Sequence, residues 1–284
     1  MKILLIGQTT LHWGRMEFGN IGNYYIIEPF IRELHKVFPQ ADIVTTLQMS
    51  SRFAQEEKVT LLPMELYYGW KEDDLTIALE EFASAYLFSK TGFLLKTTTF
   101  IDEVVNSDLV IDFSGDMWGD NADFLGDNRF LVGLLKDRVA QLLGKKTALI
   151  AGSPGPFNNP RTLGFAQEVF ESFDLVTNRE SISVELLEIS DFDVSRVVSL
   201  ACPAFLFEPK AVSEIADISS RVGLSRKDKV TFGFILCGWN FLDGPFDKWP
   251  RRNSDYIPFA EAVEYITEEL GARVYLMSHS NKIR

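Results

Sequence analysis

The 284-residue sequence is poor in the residues that build covalent and metal staples. Its two cysteines, Cys202 and Cys237, and its three histidines stand apart, without the short spacings of a structural zinc site. The thiols read as buried side chains of a protein in a reducing compartment. Long apolar runs are lacking too. Met1 to Gly7 is only strand-length and passes at once into polar residues, so neither a signal peptide nor a membrane span is indicated. A cytoplasmic location is expected. Positive charge is short: 28 Lys and Arg against 40 Asp and Glu leave a net charge of -12. That balance argues against non-specific binding to nucleic acid or to an anionic membrane surface. An anionic small substrate would need a local basic pocket. The first strand is not followed by G-x-G-x-x-G, so a dinucleotide fingerprint is not supported.

What is present is the material of an ordinary globular protein, 46% hydrophobic and 24% charged, long enough for two domains. KILLIG at the N-terminus reads as a buried parallel strand, followed by a loop from Gln8 to Gly22 that contains Gly19, Asn20 and Ile21. Ile27, Phe30, Ile31 and Leu34 then mark one helix face, with His35 late in that helix as a favourable C-terminal cation. Asp42 to Leu47 reads as a second strand, and Ser50 to Gly69 has no clear assignment. Glu72 to Phe88 suits a surface helix with a solvated charged face. Asp108 to Phe113 is a further buried strand, running into the acid-rich loop Ser114 to Asn121. Asp116 and Asp120 there fit exposed turn residues, acceptors for sugar hydroxyls, or ligands of a divalent metal; no metal site is assigned. Leu131, Leu134, Leu135, Val139 and Leu142 form the next helix face.

The stretch Lys146 to Glu180 carries the strongest organisation: apolar run, Gly/Pro loop, amphipathic segment, second apolar run. Asn159 before Pro160 is a helix start, since Asn caps free N–H groups and Pro at the first helical position loses no hydrogen bond. Ala166, Val169, Phe170 and Phe173 recur on one face. Two parallel strands joined by this helix bring Gly152 to Phe157 and Thr177 to Glu180 to the same sheet edge, where ligands bind. Thr177 and Glu180 have capping-box spacing, which predicts Arg179 in the first turn of a helix over Ser181 to Ile189. A cation there opposes the helix dipole. Either Glu180 offsets it, or Arg179 and the helix N-terminus together bind an anion. Beyond a strand at Val197 to Leu200, the chain turns polar from Glu208 to Lys229. The strand, loop, helix, strand order then restarts, with strands at Val230 to Leu236 and Arg273 to Met277 around a helix at Tyr256 to Leu270. The expected organisation is an α/β protein with an N-terminal doubly wound (Rossmann-like) domain at 1–210, a linker at 211–228 and the start of a second such domain at 229–284. One helix and two strands bury little core, so a truncated second domain is expected.

Together these pieces resemble the polysaccharide pyruvyl transferase family. The resemblance rests on Gly19-Asn20-Ile21-Gly22-Asn23, on Asp108-Leu109-Val110-Ile111 running into Ser114-Gly115, and on Gly152-Ser153-Pro154-Gly155-Pro156-Phe157. It continues through Asp174 to Ser181, Pro203-Ala204-Phe205 and His279. The chain departs from the family pattern at Asn23 and Cys202, where carboxylates are usual, and at Ser114-Gly115-Asp116, where three glycines are common. The resemblance implies a glycosyltransferase-B-like architecture of two doubly wound domains with a cleft between them. It implies transfer of the enolpyruvyl group of phosphoenolpyruvate to two hydroxyls of a polysaccharide or precursor sugar, giving a cyclic ketal and phosphate. In that reading Arg179 holds the anionic donor and His279 moves protons, while Asn20, Gly22, Asn23, Ser114, Gly115, Gly152, Ser153 and Gly155 line the substrate site. No cofactor and no nucleic-acid partner are implied, and a homo-oligomer is compatible. Two readings from other classes stay open: a nucleotide-sugar glycosyltransferase of similar architecture, and a non-catalytic glycan-binding relative.

Overall fold

The computed structural model describes residues 1–7, 21–211, 213–221, 223–224, 228–236 and 252–277, with the side chains of residues 21, 125 and 151 left aside. The chain divides into two compact units, Met1–Phe207 and the part from Glu208 onward. The first unit contains β1 (Lys2–Ile6), α1 (Ile21–Val37), β2 (Asp42–Thr45), α2 (Ser51–Glu56), β3 (Val59–Leu61), α3 (Asp74–Thr91), α4 (Thr99–Val105) and β4 (Leu109–Asp112). It continues through α5 (Arg129–Leu142), β5 (Lys146–Gly152), α6 (Pro160–Glu171), β6 (Leu175–Asn178), α7 (Ser181–Ile189) and β7 (Val197–Ser199).

These strands form one parallel sheet in the order β3-β2-β1-β4-β5-β6-β7. The order reverses between β1 and β4, the switch point at which doubly wound sheets open a crevice beyond the strand C-termini. Helices cover both faces, so β1 is apolar on both: Ile3 and Leu5 pack with Ile27, Ile31 and Phe53, while Leu4 and Ile6 pack with Ala85, Phe100 and Val139. A third apolar layer joins Trp118, Phe130, Leu134 and Leu149 to Ala166, Val169, Phe170 and Phe192. At the switch point Gly7 has φ +136°, and a Cβ there would lie 2.9 Å from the Phe113 carbonyl carbon and the Ser114 nitrogen. Only glycine lets the ends of β1 and β4 come this close.

One unassigned stretch is now assigned, and one expectation is corrected. The chain from Ser50 to Gly69 is ordered as α2, capped by Ser50 Oγ accepting from Phe53 N at 3.1 Å, then β3 and a 3₁₀ turn at Met64–Leu66. The charges of α3 are not all solvated: Glu81 is buried against Lys136 and Thr98. His35 does lie in the last turn of α1, where its Nε2 meets the Glu57 carbonyl oxygen at 2.9 Å.

The second unit contains α8 (Ala216–Arg221), β8 (Thr231–Ile235), α9 (Ile257–Glu264) and β9 (Arg273–Met277). β8 and β9 pair in parallel from Thr231↔Arg273 to Ile235↔Met277. α9 is shorter than expected, because the chain widens into a π turn at Tyr265–Glu269. Among the described residues no helix is long and apolar enough to cross a membrane.

Candidate active site

Three strand ends of the first unit converge at the C-terminal edge of its sheet. β4 runs into Ser114–Gly126, β5 into Ser153–Asn159, and β6 into Arg179 and Glu180. The β4 and β5 loops touch backbone to backbone. Gly155 N donates to Trp118 O at 2.9 Å, Asp120 N to Pro156 O at 2.9 Å, and Ser153 N to Gly115 O at 3.4 Å. A Cβ on Gly119 would stand 2.7 Å from the Gly155 Cα and carbonyl carbon. Asp120, a candidate metal or sugar ligand in the sequence, has a structural role: its Oδ2 accepts from the backbone N–H of Asn158 and, at 2.9 Å, of Asn159. This latch leads into the N-terminus of α6, where Asn159 Oδ1 accepts from Arg161 N at 3.1 Å and Pro160 opens the helix, as the sequence predicts. Among the described residues no three His, Cys, Asp or Glu side chains converge on a metal-binding arrangement.

Arg179 sits differently from expectation. The N-cap of α7 is Glu180, extended at φ -158° and ψ 145°, so Arg179 precedes the helix and lies outside its first turn. Thr177 cannot cap because it pairs with Val198 of β7 inside the ladder. Both open readings of the Arg–Glu pair have structural content. Arg179 Nε donates to Ser153 Oγ at 2.6 Å, and the Ser153 hydroxyl donates to Glu180 Oε1, so Glu180 balances the arginine through a serine bridge. The direct Arg179 Nε to Glu180 Oε1 separation is 3.9 Å. The two Nη groups have no partner among the described residues, and the side chain is 23% exposed. The result is a guanidinium fixed at one nitrogen, with its remaining donors presented beside a helix N-terminus.

The other expected site residues distribute around this point. Gly152 O accepts from Arg179 N at 3.2 Å, and Gly152 pairs with Asn178 across the sheet. Ser114 is buried, with its hydroxyl and N–H both turned to Asp112. Gly115 and Gly155 supply the backbone contacts between the two loops. Gly22 and Asn23, expected in the loop, belong to the first turn of α1, which starts at Ile21. Asn20 and His279 lie outside the described residues, as do His12 and Cys237. Cys202 is a free thiol at the N-cap of the 3₁₀ turn Pro203–Leu206.

Three buried polar residues near this edge carry no role in the sequence reading. Asn178 ends β6 fully buried, and neither side-chain polar atom has a hydrogen-bond partner among the described residues. Asp112 and Asp137 share a hydrogen bond, and Trp118 Nε1 donates to Asp137 Oδ2 at 3.2 Å. Burial pushes the Asp112 carboxyl up to about 6, against the pull of its Ser114 bonds. Burial, and then the neighbouring Asp112 charge, hold Asp137 well above the ordinary carboxylate range. A signal existed for Asp137: it follows Phe130 and Leu134 at i+7 and i+3, an acid on an apolar helix face.

Fold and edge together define a doubly wound α/β protein with an arginine at the C-terminal edge of its sheet. The comparisons narrow this. The family model described as polysaccharide pyruvyl transferase matches residues 20–284, and the chain belongs to that family. The amylovoran biosynthesis protein AmsJ of Erwinia amylovora is 26% identical over 276 residues, covering 83% of this chain and 62% of the relative. The chain therefore spans less than two thirds of that relative's length. Among solved structures, Anabaena Alr3699/HepE in complex with UDP-glucose superposes with a TM-score of 0.50 at 11% identity, over 98% of this chain and 69% of that one. UDP-GlcNAc 2-epimerase from Methanocaldococcus jannaschii gives 0.53 at 15% identity, over 97% and 65%. At such identities the likeness shows the fold, the Rossmann-like architecture of glycosyltransferase-B proteins.

Proposed function

We propose that this chain transfers the enolpyruvyl group of phosphoenolpyruvate to a sugar of a cell-surface polysaccharide or its precursor, forming a pyruvate ketal. The observation that carries the reading is Arg179, held at Nε by Ser153 with its Nη groups unengaged among the described residues, within the stretch the family matches. The donor carries a carboxylate and a phosphate, and a guanidinium fork pairs with either in bidentate fashion. The N-terminus of α7, whose N-cap Glu180 makes no side-chain cap bond, adds a second anion-favouring element beside it. The relative named for amylovoran biosynthesis supports a polysaccharide as the acceptor's class.

The chemistry is a proton-coupled addition. Protonation of the donor methylene carbon makes its C2 electrophilic, and a sugar hydroxyl attacks C2 while losing its proton. The bond between C2 and the phosphate oxygen breaks, and a second hydroxyl closes the ring on C2. Of the two hydroxyl protons lost, one matches the proton gained by the methyl carbon and the other leaves with phosphate. His279 is the group assigned to proton transfer, on its resemblance to the family's histidine; it lies outside the described residues. Gly22, Asn23, Gly115, Gly152, Ser153 and Gly155 are assigned to substrate binding with Asn20, and Ser114 to the support of the β4 loop.

The test is a thermal-shift titration with phosphoenolpyruvate, with uridine diphosphate as control, joined to phosphate-release kinetics. At a hundred times the dissociation constant the donor should stabilise the wild-type chain by about 2.7 kcal/mol. Arg179→Ala should abolish that shift, and His279→Ala should keep it and lose turnover. An undiminished shift in Arg179→Ala would refute the donor assignment. Stabilisation by uridine diphosphate alone would favour a nucleotide-sugar reaction instead.

A further inference from the structure

Two buried carboxyl groups stand outside the donor chemistry. Asp112, the last residue of β4, and Asp137, on the inner face of α5, are each 1% exposed and hydrogen-bonded to one another. Among the described residues no cation faces them. Lys136 turns to Glu81 and the Leu66 carbonyl, and Arg138 turns to Glu168, Gln141 and Ser172. The groups bearing on the pair are the Ser114 N–H and hydroxyl and the Trp118 indole. Across the sheet Asp112 pairs with Ile6 and Leu149, both apolar. Two carboxylates in such surroundings cannot both ionise, so the pair retains a proton. Asp112 Oδ2 is buried and has no donor among the described residues.

The pair's remaining acceptors are directed outward, to the loop. Asp112 Oδ1 accepts the Ser114 N–H at 2.6 Å, and Asp137 Oδ2 accepts the Trp118 indole N–H at 3.2 Å. Ser114 and Trp118 bracket the turn whose Gly115 and Trp118 carbonyls hold Ser153 and Gly155 of the β5 loop. Ser153 in turn holds Arg179 at Nε. A continuous set of hydrogen bonds thus runs from a proton in the core to the free guanidinium at the edge.

We propose that the hydrogen-bonded Asp112–Asp137 pair is a positioning unit for the edge site, fixing the Ser114–Trp118 turn and, through Ser153, the aim of Arg179. Its consequence for donor binding rests on the function proposed above; its structural part does not. When the retained proton is lost as pH rises, two like charges face each other and the turn is no longer held. Asp137→Asn keeps a neutral donor toward Asp112 and an acceptor toward Trp118 while removing the titration. Asp137→Leu removes both contacts at similar volume.

The experiment is nuclear magnetic resonance on the full chain labelled with ¹⁵N at tryptophan and arginine. The Trp118 indole N–H is assigned with Trp118→Phe and the Arg179 Nε–H with Arg179→Lys, and both are followed from neutral to alkaline pH. In the wild type the two signals should shift with a common midpoint, and in Asp137→Asn both should be flat. In Asp137→Leu phosphoenolpyruvate should bind at least tenfold more weakly. A titrating Trp118 beside an unmoved Arg179 would overturn the proposal, as would two signals that never titrate. If the wild type fails to bind phosphoenolpyruvate, the donor reading fails, and the two resonances still decide the coupling.

Discussion

Gly119→Ala places a methyl group where the two loops of the site meet. The added Cβ would lie 2.7 Å from the Gly155 Cα and carbonyl carbon and 2.8 Å from its nitrogen. Nonbonded carbons rest roughly 3.5–4.0 Å apart, so one loop must retreat by about 1 Å. The backbone on the receiving side cannot rotate away as a side-chain tip would. Two hydrogen bonds flank the contact, Gly155 N to Trp118 O and Asp120 N to Pro156 O, both 2.9 Å, and the retreat stretches them past useful length. Overpacking of this kind costs about 1–3 kcal/mol. For a unit of this size each kcal/mol lowers Tm by roughly 2–4 °C, so a fall of about 5 °C is expected by circular dichroism. Ser153 rides on the displaced loop, and a misplacement of about 1 Å can cost on the order of a hundredfold in turnover. Phosphate release should drop by that order. Gly164→Ala is the control: a Cβ there meets nothing within 4 Å, in the middle of α6, and should stabilise by up to about 1 kcal/mol. Unchanged stability in Gly119→Ala, with the control behaving as stated, would refute the close contact between the loops.

Three further outcomes are expected. Lys136→Met leaves the Glu81 carboxylate buried without its cation and should destabilise by about 3–5 kcal/mol in urea unfolding, most of it recovered when Glu81→Leu is added. Asn178→Val removes two buried polar atoms that lack partners among the described residues and should stabilise by about 1–3 kcal/mol in the same assay. Asp112 and Asp137 bind protons more tightly folded than unfolded, so their contribution is fully present below the unfolded pKa near 3.9. It is lost as pH rises through about 6 for Asp112, and the raised Asp137 adds a loss of the same sign, with a slope of about 1.4 kcal/mol per pH unit for each proton involved. Denaturation midpoints between pH 4 and 8 should show this decline, and Asp137→Asn should make it shallower.

The parts of the fold legible in the sequence are those decided by neighbours along the chain. KILLI, LVID and LVTN are apolar because both faces of a parallel sheet are covered, and each reads as a strand unaided. Asn159 and Pro160 start α6 through contacts within three residues, and α7 spans Ser181–Ile189, the bounds read for it from the sequence. Arg179 was misplaced by one turn because two residues had capping chemistry, and pairing with β7 claimed Thr177 for the ladder. That choice depends on a strand some twenty residues onward, which no local spacing encodes. Asp120 reads alike as turn residue, sugar acceptor or metal ligand, because its acceptor duty, toward Asn158 and Asn159, lies on another loop. Glu81 looked solvated because Lys136 sits two helices further along the chain. These three cases concern polar side chains whose partners are distant in sequence, and the site is made of such pairs: Ser153 with Arg179, Asp112 with Asp137, Trp118 with Asp137. Apolar burial is nearly additive along a chain and so leaves a pattern; hydrogen-bond complementarity is a property of pairs and leaves none until the loops meet. The backbone approach of Gly119 to Gly155 is where they meet most tightly, which makes it the point at which fold and site can be perturbed by a single methyl group.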